Sequence, residues 1–294
     1  MKEIVVISGK GGTGKTSITA SFAYLGGKDL AIADCDVDAA DMHLLLEPDF
    51  GHQHDFYSGE LSAIDASICI GCGKCMSVCR FDAISVKEGL YTIDPLACEG
   101  CGYCARICPV KAITNEQPNV GSLYRSKIRT RAEMVHARLA IGADNSGKLV
   151  AKVKNISKEV AQQQSRSAAL ADGSPGVGCP VVSSLSGASF VVLVTEPTVS
   201  GVHDLKRVHE LVKKFGIKAG CIINKADLNL NMLEELEKFL TEENIVLLGK
   251  IPYDEKFTQA MTNGKTVVEY DEHLGKIISE SWEKIKDIVN IQRS

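Results

Sequence analysis

Two short segments of the sequence carry most of its cysteines, at a spacing that could hold metal. Eight of the eleven cysteines lie between residues 69 and 108, in two runs of the form C-x2-C-x2-C-x3-C. This spacing is typical of bacterial ferredoxins, where three cysteines of one run and the fourth of the other hold each [4Fe-4S] cluster. That rule assigns one cluster to Cys69, Cys72, Cys75 and Cys108, and a second to Cys98, Cys101, Cys104 and Cys79.

The two runs differ after their fourth cysteine, where the second run has Pro109 and the first has Arg80. Proline at this place is a turn residue and not a ligand, so we expect both clusters to form. A positive charge at Arg80 would favour the reduced, more negative state of a nearby cluster and raise its potential. Zinc is the alternative for C-x2-C pairs, and a purely structural role for the clusters stays open beside electron transfer.

A glycine-rich segment near the start of the chain predicts a phosphate-binding loop. Residues 9–16 match G-x-x-x-x-G-K-[ST] between a strand pattern and a helix pattern, which is the context that the motif requires. Backbone N–H groups and the positive end of a helix favour phosphate there, and a hydroxyl is available for Mg²⁺. The predicted contacts to nucleotide and Mg²⁺ are Gly9, Gly11, Gly12, Thr13, Gly14, Lys15, Thr16 and Ser17.

Lys10 gives this loop the form K-G-G-x-G-K-[ST], which resembles the deviant Walker A loop of the MinD/ParA/nitrogenase iron protein class of ATPases. The resemblance implies that Lys10 reaches the phosphates of a partner in a nucleotide-sandwich dimer and acts in catalysis beside Lys15. It also implies that Asp36 matches the switch I aspartate, which orients the attacking water. Asp172 matches the switch II aspartate, which contacts Mg²⁺ through water. A helix-capping role for Asp36 is the alternative.

Asn224 and Asp227 lie in an N-K-x-D sequence that resembles the base-recognition motif of GTPases. In the ATPase relatives an asparagine here reads adenine, so the resemblance implies ATP as the nucleotide. Asp227 could instead accept hydrogen bonds from guanine, which keeps GTP open. Pro252 lies in an I-P-Y-D sequence that resembles the loop beside the base in the same class.

The elements that must position these residues alternate between strands and helices. Continuous apolar runs such as 4–8 and 190–195 predict buried parallel strands, so we expect an α/β fold with a doubly wound, mostly parallel sheet. The cysteine segment is predicted to be an inserted small α+β domain of the bacterial ferredoxin type. The predicted boundaries are 1–60 and 119–294 for the P-loop domain and 61–118 for the insert.

Three weaker patterns complete the outline. Residues 48–60 are polar and predict a boundary segment, and residues 145–147 predict a turn. Residues 277–289 predict an amphipathic terminal helix. Its polar face mixes acidic and basic residues, so packing on the core is favoured over a membrane-surface role.

Composition and charge limit the expected binding partners and the expected cellular compartment. The net charge is -4 and the pI about 6.0, so no basic excess points to nucleic acid or an acidic membrane surface. The sequence shows neither a signal-peptide pattern nor an apolar run of about 18 residues. We therefore expect a cytoplasmic protein without a membrane span, whose thiols stay reduced.

The resemblance implies an ATPase, slow without a partner, that couples nucleotide-driven changes in a homodimer, or a heterodimer with a paralogue, to electron transfer or metal-cluster assembly in a partner. The alternatives are an iron-sulfur carrier or scaffold ATPase, and a MinD/ParA-like positioning ATPase with structural clusters. Cys179 lies at the same offset from Asp172 as a cluster ligand of the nitrogenase iron protein. The resemblance therefore implies a metal or redox contact at Cys179, with simple packing as the alternative.

Overall fold

A computed structural model describes residues 1–140 and 146–291. The strands run in chain order as β1 Lys2–Ser8, β2 Leu30–Asp34, β3 His52–Tyr57, β4 Leu61–Ile64, β5 Ile84–Lys87, β6 Leu90–Ile93, β7 Ile113–Glu116, β8 Asn119–Lys127, β9 Glu133–Leu139, β10 Ala168–Asp172, β11 Phe190–Thr195, β12 Ala219–Asn224 and β13 Val246–Ile251. The helices are α1 Lys15–Gly26, α2 Met42–Leu46, α3 Lys74–Val78, α4 Tyr103–Ile107, α5 Ser146–Gln163, α6 Cys179–Leu185, α7 Val199–Lys214, α8 Leu230–Glu242, α9 Lys256–Thr262, α10 Val267–Tyr270 and α11 Glu272–Val289.

The chain divides into two compact units. Unit 1 comprises residues 1–54, 122–139 and 146–291, and unit 2 comprises residues 55–121 together with Ala140. The segment predicted as an insert, 61–118, lies wholly within unit 2.

A nine-stranded sheet has the order β13-β12-β11-β1-β10-β2-β9-β8-β3. Its strands are parallel from β13 to β9, which confirms the predicted α/β fold with a mostly parallel sheet. β1 lies between β10 and β11, so strands that follow it along the chain lie on both sides of it. At such a point in an open parallel sheet, ligands bind beyond the carboxyl ends of the strands.

Both faces of the parallel sheet are buried. Along β1, for example, Ile4 and Val6 belong to one hydrophobic cluster, while their neighbours Val5 and Ile7 are equally inaccessible on the other face. The first face carries α1, α2 and α11, and the second is covered in part by α5. Burial on both faces explains why these strands read as continuous apolar runs.

The terminal helix packs on the core, as predicted. Ile278, Ile285 and Val289 of α11 are buried, and Trp282 stacks on Phe22 of α1 with ring centroids 5.2 Å apart. Among the described residues no helix is long and apolar enough to cross a membrane.

Two segments differ from the sequence expectations. The polar boundary at 48–60 contains β3, whose exposed polar residues at the sheet edge give no apolar alternation that would mark a strand. In the turn predicted at 145–147, residue 145 lies outside the described residues, and Ser146 and Gly147 begin α5. Apolar residues at helical spacing, including Leu149, Val150 and Val153, bury one face of α5 and override the local turn signal.

Unit 2 contains two halves that repeat each other at an interval of 29 residues. The Asp65 N–H donates to the Ala112 carbonyl, and the equivalent Asp94 N–H donates to the Ala83 carbonyl, both at 2.8 Å. In each half a five-residue helix lies within the cysteine run, so that Cys75 is in α3 and Cys104 is in α4. β4 pairs with β7, and β5 with β6, both antiparallel.

Candidate functional site

The glycine-rich loop lies between the end of β1 at Ser8 and the start of α1 at Lys15. Gly14, just before the helix, has φ 89°, a left-handed conformation that favours glycine. A Cβ atom there would also lie 2.4 Å from Asn224 Nδ2. At Gly9 a Cβ would lie 2.5 Å from Asp204 Cβ. The loop therefore needs glycine at position 14 because of the backbone conformation and the nearby Asn224, and at position 9 because of the nearby Asp204.

Lys15, Thr16 and Asp172 meet at the carboxyl ends of β1 and β10. The Lys15 Nζ atom lies 2.8 Å from Asp172 Oδ2, and the Thr16 hydroxyl donates to the same oxygen at 2.7 Å. The other oxygen of Asp172 lies 2.7 Å from the hydroxyl of Thr19. Both Asp172 and Thr19 are fully buried. A lysine, a hydroxyl and a fixed carboxylate thus converge at the start of α1. The two oxygen-bearing side chains suit Mg²⁺, and the charge of the lysine suits a phosphate.

Two further carboxylates surround Lys15. Asp36 Oδ2 lies 3.5 Å from Lys15 Nζ, and burial raises the pKa of Asp36 against the attraction of Lys15. Asp34 is fully buried with Oδ2 unpaired, and burial together with the nearby Asp172 raises its pKa well above the usual range. For Lys15 the attraction of Asp172 and Asp36 overcomes the effect of burial and raises the pKa, so the lysine stays charged.

Lys10 contacts a different carboxylate from Lys15. Its Nζ atom lies 2.7 Å from Glu196 Oε1, just beyond the end of β11. The second oxygen of Glu196 lies 2.8 Å from Lys225 Nζ. Lys225 also donates to the carbonyl of Gly12 at 3.3 Å. One carboxylate therefore joins the loop lysine to the N-K-x-D segment.

The N-K-x-D segment lies under the phosphate loop. Asn224 is buried, with Nδ2 donating to the Thr13 carbonyl at 2.8 Å and Oδ1 accepting from its neighbour's N–H at 3.0 Å. Asp227 is exposed, and Oδ1 accepts from the Tyr253 N–H at 2.7 Å. That bond ties the segment to the loop containing Pro252, so the predicted base-binding residues are neighbours.

The eight clustered cysteines line two cavities in unit 2. One cavity leaves about 340 Å³ free of protein atoms, partly open to solvent, and its cysteines are Cys69, Cys72, Cys75 and Cys108. The other leaves about 360 Å³, and its cysteines are Cys79, Cys98, Cys101 and Cys104. In each cavity three cysteines come from one run and the fourth from the other.

Glycines shape the loops that carry these cysteines. Gly71 and Gly73 in the first run have φ 67° and 70°, and Gly100 and Gly102 in the second have φ 63° and 67°. The paired values show that both runs follow the same backbone path. Left-handed residues on each side of the second cysteine turn the chain around the cavity. Within the described residues, no group of three or more His, Cys, Asp or Glu side chains converges closely enough for a single metal ion.

The three remaining cysteines line neither cavity. Cys35 and Cys221 are fully buried beside or within core strands, and burial raises the pKa of each thiol. Cys179 is exposed at the start of α6. Its predicted metal or redox role stays a prediction.

Two residues of the site were not predicted from the sequence. Thr19 reaches Asp172 only because α1 lies beside β10. Glu196 reaches Lys10 and Lys225 from a strand end nearly 190 residues after the loop. A polar residue just after a buried strand is a general sign of a site, and it would have drawn attention to Glu196.

Comparison with known proteins relates the chain to a nucleotide-binding family. Residues 4–267 match the family described as the CobQ/CobB/MinD/ParA nucleotide binding domain. An uncharacterised protein of Methanocaldococcus jannaschii is 33% identical over 98% of this chain and 97% of its own length. The cell division ATPase MinD of Pyrococcus furiosus superimposes with a TM-score of 0.57 at 20% identity, covering 98% and 100% of the two chains. The Mg-ADP complex of Pyrococcus horikoshii MinD superimposes with a TM-score of 0.58 at 19% identity, with full coverage of both chains.

Proposed function

The chain belongs to the CobQ/CobB/MinD/ParA nucleotide-binding family, and from this premise we propose that it is a MinD/ParA-like switch that uses ATP to control its contacts with a partner. The observation that carries the proposal is the convergence of Lys15, Thr16 and Asp172 at the start of α1. Of the functions that the sequence left open, the family and the fold neighbours favour the positioning ATPase over a redox enzyme.

The residues of the site divide the work of hydrolysis among them. Bound Mg²⁺ supplies charge neutralisation at the phosphates. Thr16 and Asp172 would hold the ion, Asp172 through water, and Lys15 would attract the β- and γ-phosphates. Asp36 Oδ2 lies 3.5 Å from Lys15 Nζ, and its carboxylate would orient the attacking water. Orienting that water is a task of the transition state and not of binding.

Two substitutions test these roles. Lys15→Ala should abolish nucleotide binding. Asp36→Ala should keep ATP binding but lower the hydrolysis rate by ~100-fold, the usual cost of a lost positioning group. Asp38→Ala is the matched control, because Asp38 is exposed two residues further on. A normal rate for Asp36→Ala would exclude the water-orienting role.

The proposed nucleotide is ATP. One oxygen of Asp227 already accepts a hydrogen bond from the Tyr253 N–H. Bidentate recognition of guanine by this carboxylate would have to share that oxygen between the base and the Tyr253 N–H. Competition between ATP and GTP for the protein decides the point, and a clear GTP preference would make Asp227 the base-reading residue.

The active form is proposed to be an ATP-dependent dimer, either of two copies or with a paralogue, in which Lys10 acts across the interface. Lys10→Ala should weaken dimer formation and hydrolysis while nucleotide binding to the single chain persists. Light scattering with ATP and Mg²⁺ measures this. Normal dimer formation by the variant would rule out a role in trans.

A second candidate function couples this ATPase to electron transfer or to cluster assembly in a partner. It is favoured by the two cavities of unit 2, each lined by four cysteines. Thiolates spread around a cavity suit a cubane cluster, whereas one tetrahedral ion needs its sulfur atoms within about 2.3 Å of a common point. A [4Fe-4S] cluster would supply one-electron storage at each site, and a reducing compartment such as the cytoplasm would keep the thiols available.

Metal analysis tests the second candidate. Anaerobic reconstitution should yield about eight irons and eight sulfides per chain. Zinc without sulfide would exclude electron transfer. A carrier or scaffold ATPase would instead show an additional labile cluster that passes to an acceptor protein, with retention of the eight irons.

A further inference from the structure

The ammonium group of Lys10 is saturated by acceptors of its own chain. Its Nζ atom lies 2.7 Å from Glu196 Oε1, 2.8 Å from Ser200 Oγ and 3.3 Å from Thr198 Oγ1. A lysine ammonium has three N–H donors. Each donor therefore has one acceptor, and a phosphate of a second copy could be reached only if these contacts were given up.

Glu196 is suited to hold this lysine. The Glu196 side chain is only 11% exposed, compared with 28% for Lys10. Although burial raises its pKa, the hydrogen bonds and charges of Lys10 and Lys225 outweigh that effect and lower the pKa below the usual range. The carboxylate is therefore charged at neutral pH, and the pair is partly shielded from water, where an ion pair is stronger than on the open surface.

The same carboxylate is linked to the phosphate loop itself. The second lysine on Glu196, Lys225, also donates to the Gly12 carbonyl of the loop. Lys225 directly follows Asn224, which donates to the neighbouring Thr13 carbonyl. A nucleotide that rearranges the loop at Gly12 and Thr13 would thus disturb the lysine that shares Glu196 with Lys10.

We propose that Glu196 is a positioning residue that holds Lys10 within its own chain and so opposes dimer formation until ATP is bound. The proposal rests on the ATP-dependent dimer of the proposed function. Phosphate oxygens of a bound nucleotide replace Glu196, Thr198 and Ser200 as acceptors when Lys10 crosses to the partner. The released Glu196 keeps Lys225 as its counter-ion, so the carboxylate is not left buried and unpaired.

Chemical labelling tests the restraint without any need for a dimer. Acetylation of lysines with an N-hydroxysuccinimide ester, followed by mass spectrometry, should find Lys10 less reactive than exposed lysines in the nucleotide-free protein. Glu196→Gln should raise the relative reactivity of Lys10 by about 5-fold, the scale of a partly exposed ion pair. Glu237→Gln is the matched control, since it removes the partner of Lys250 on the surface. Unchanged reactivity of Lys10 in Glu196→Gln would overturn the proposal.

The second arm measures dimer formation against ATP concentration. Glu196→Gln should reach half-maximal dimer at about 5-fold less ATP than the unsubstituted protein, and Ser200→Ala at about 2-fold less, because each weakens the hold on Lys10. An unchanged or higher ATP requirement for Glu196→Gln would mean that Glu196 supports the dimer and does not restrain it. If the unsubstituted protein stays monomeric with ATP, the proposed dimer is wrong, and the labelling arm alone decides whether Glu196 holds Lys10.

Discussion

The two units of this protein hold their reactive side chains on hydrophobic cores of very different size. In unit 1 a continuous hydrophobic cluster joins the sheet to α1, α2 and α11, and charged residues stand at the strand ends above it. In unit 2 the strands and helices are four or five residues long between 61 and 116. The buried hydrophobic side chains of that segment are Ala83, Ile84, Ala112 and Ile113.

This difference shows where the stability of each site originates. Unit 1 buries enough apolar surface to hold Asp34, Asp172 and Lys15 close together despite the cost of burying charge. A segment of about 60 residues with so small a core is marginal without staples or metal. Its cysteines, which are half-buried or exposed, would then contribute to folding through whatever they bind.

The largest expected effect is the unfolding of one unit while the other keeps its activity. After anaerobic reconstitution, removal of iron by a chelator should unfold the segment 61–118 while unit 1 still binds ATP, because only the small core depends on metal. Hydrogen exchange read by mass spectrometry measures both units in one experiment. Unchanged protection in 61–118 after complete iron loss would show that its small core suffices.

The next effect lies within unit 2. Cys101→Ser should lower the iron content from about eight to about four per chain, because Cys101 lines one cavity only. Cys179→Ser is the matched control, an exposed cysteine in neither cavity, and should keep full iron content. Equal iron in the two variants would break the assignment of four cysteines to each site, and iron loss in Cys179→Ser would give that residue a metal role.

A buried histidine tests how the stability of unit 1 depends on pH. Burial lowers the pKa of His136 to about 4, below the 6.5 of the unfolded chain, so the unfolded state binds more protons between these values. Stability is then complete above pH 6.5 and falls as the pH drops toward 4. Between pH 7 and pH 5 the loss should be about 2 kcal/mol.

Urea unfolding at the two pH values measures that loss. His136→Phe keeps an aromatic ring beside Tyr124 and Phe50 and should lose the corresponding part of the pH dependence. His203→Gln is the control, because the His203 side chain is 69% exposed. If His136→Phe and the original protein lose equal stability, another group carries the pH dependence.

The smallest expected effect is on the Mg²⁺ requirement of the nucleotide site. Thr19→Val removes the hydroxyl that holds Asp172 Oδ1 but keeps the shape, and should raise the Mg²⁺ concentration needed for half-maximal hydrolysis by about 10-fold. Thr19→Ser should restore it. Ser21→Ala is a control on the same helix, since the Ser21 hydroxyl donates to the Ser17 carbonyl. Normal Mg²⁺ dependence in Thr19→Val would leave Thr19 a packing residue.

Prediction from sequence succeeded where one local pattern had one structural meaning. The apolar runs of β1 and β11 predicted buried parallel strands, and the structure confirms them. The predicted terminal helix also packs as expected. β3 was missed because an exposed edge strand has no apolar periodicity, and the start of α5 because its local turn residues are overridden by packing.

The sequence by itself determined the chemistry that each segment can offer: a phosphate loop after a strand, acidic residues at strand ends, and two cysteine runs with identical spacing. These depend on residue type and separation within a few positions, and local geometry follows from them. Only the tertiary structure decided that Thr19 fixes Asp172 and that Glu196 holds Lys10 and Lys225. Such contacts join residues far apart in the chain, and their partners are set by strand order and helix packing, which no local pattern encodes.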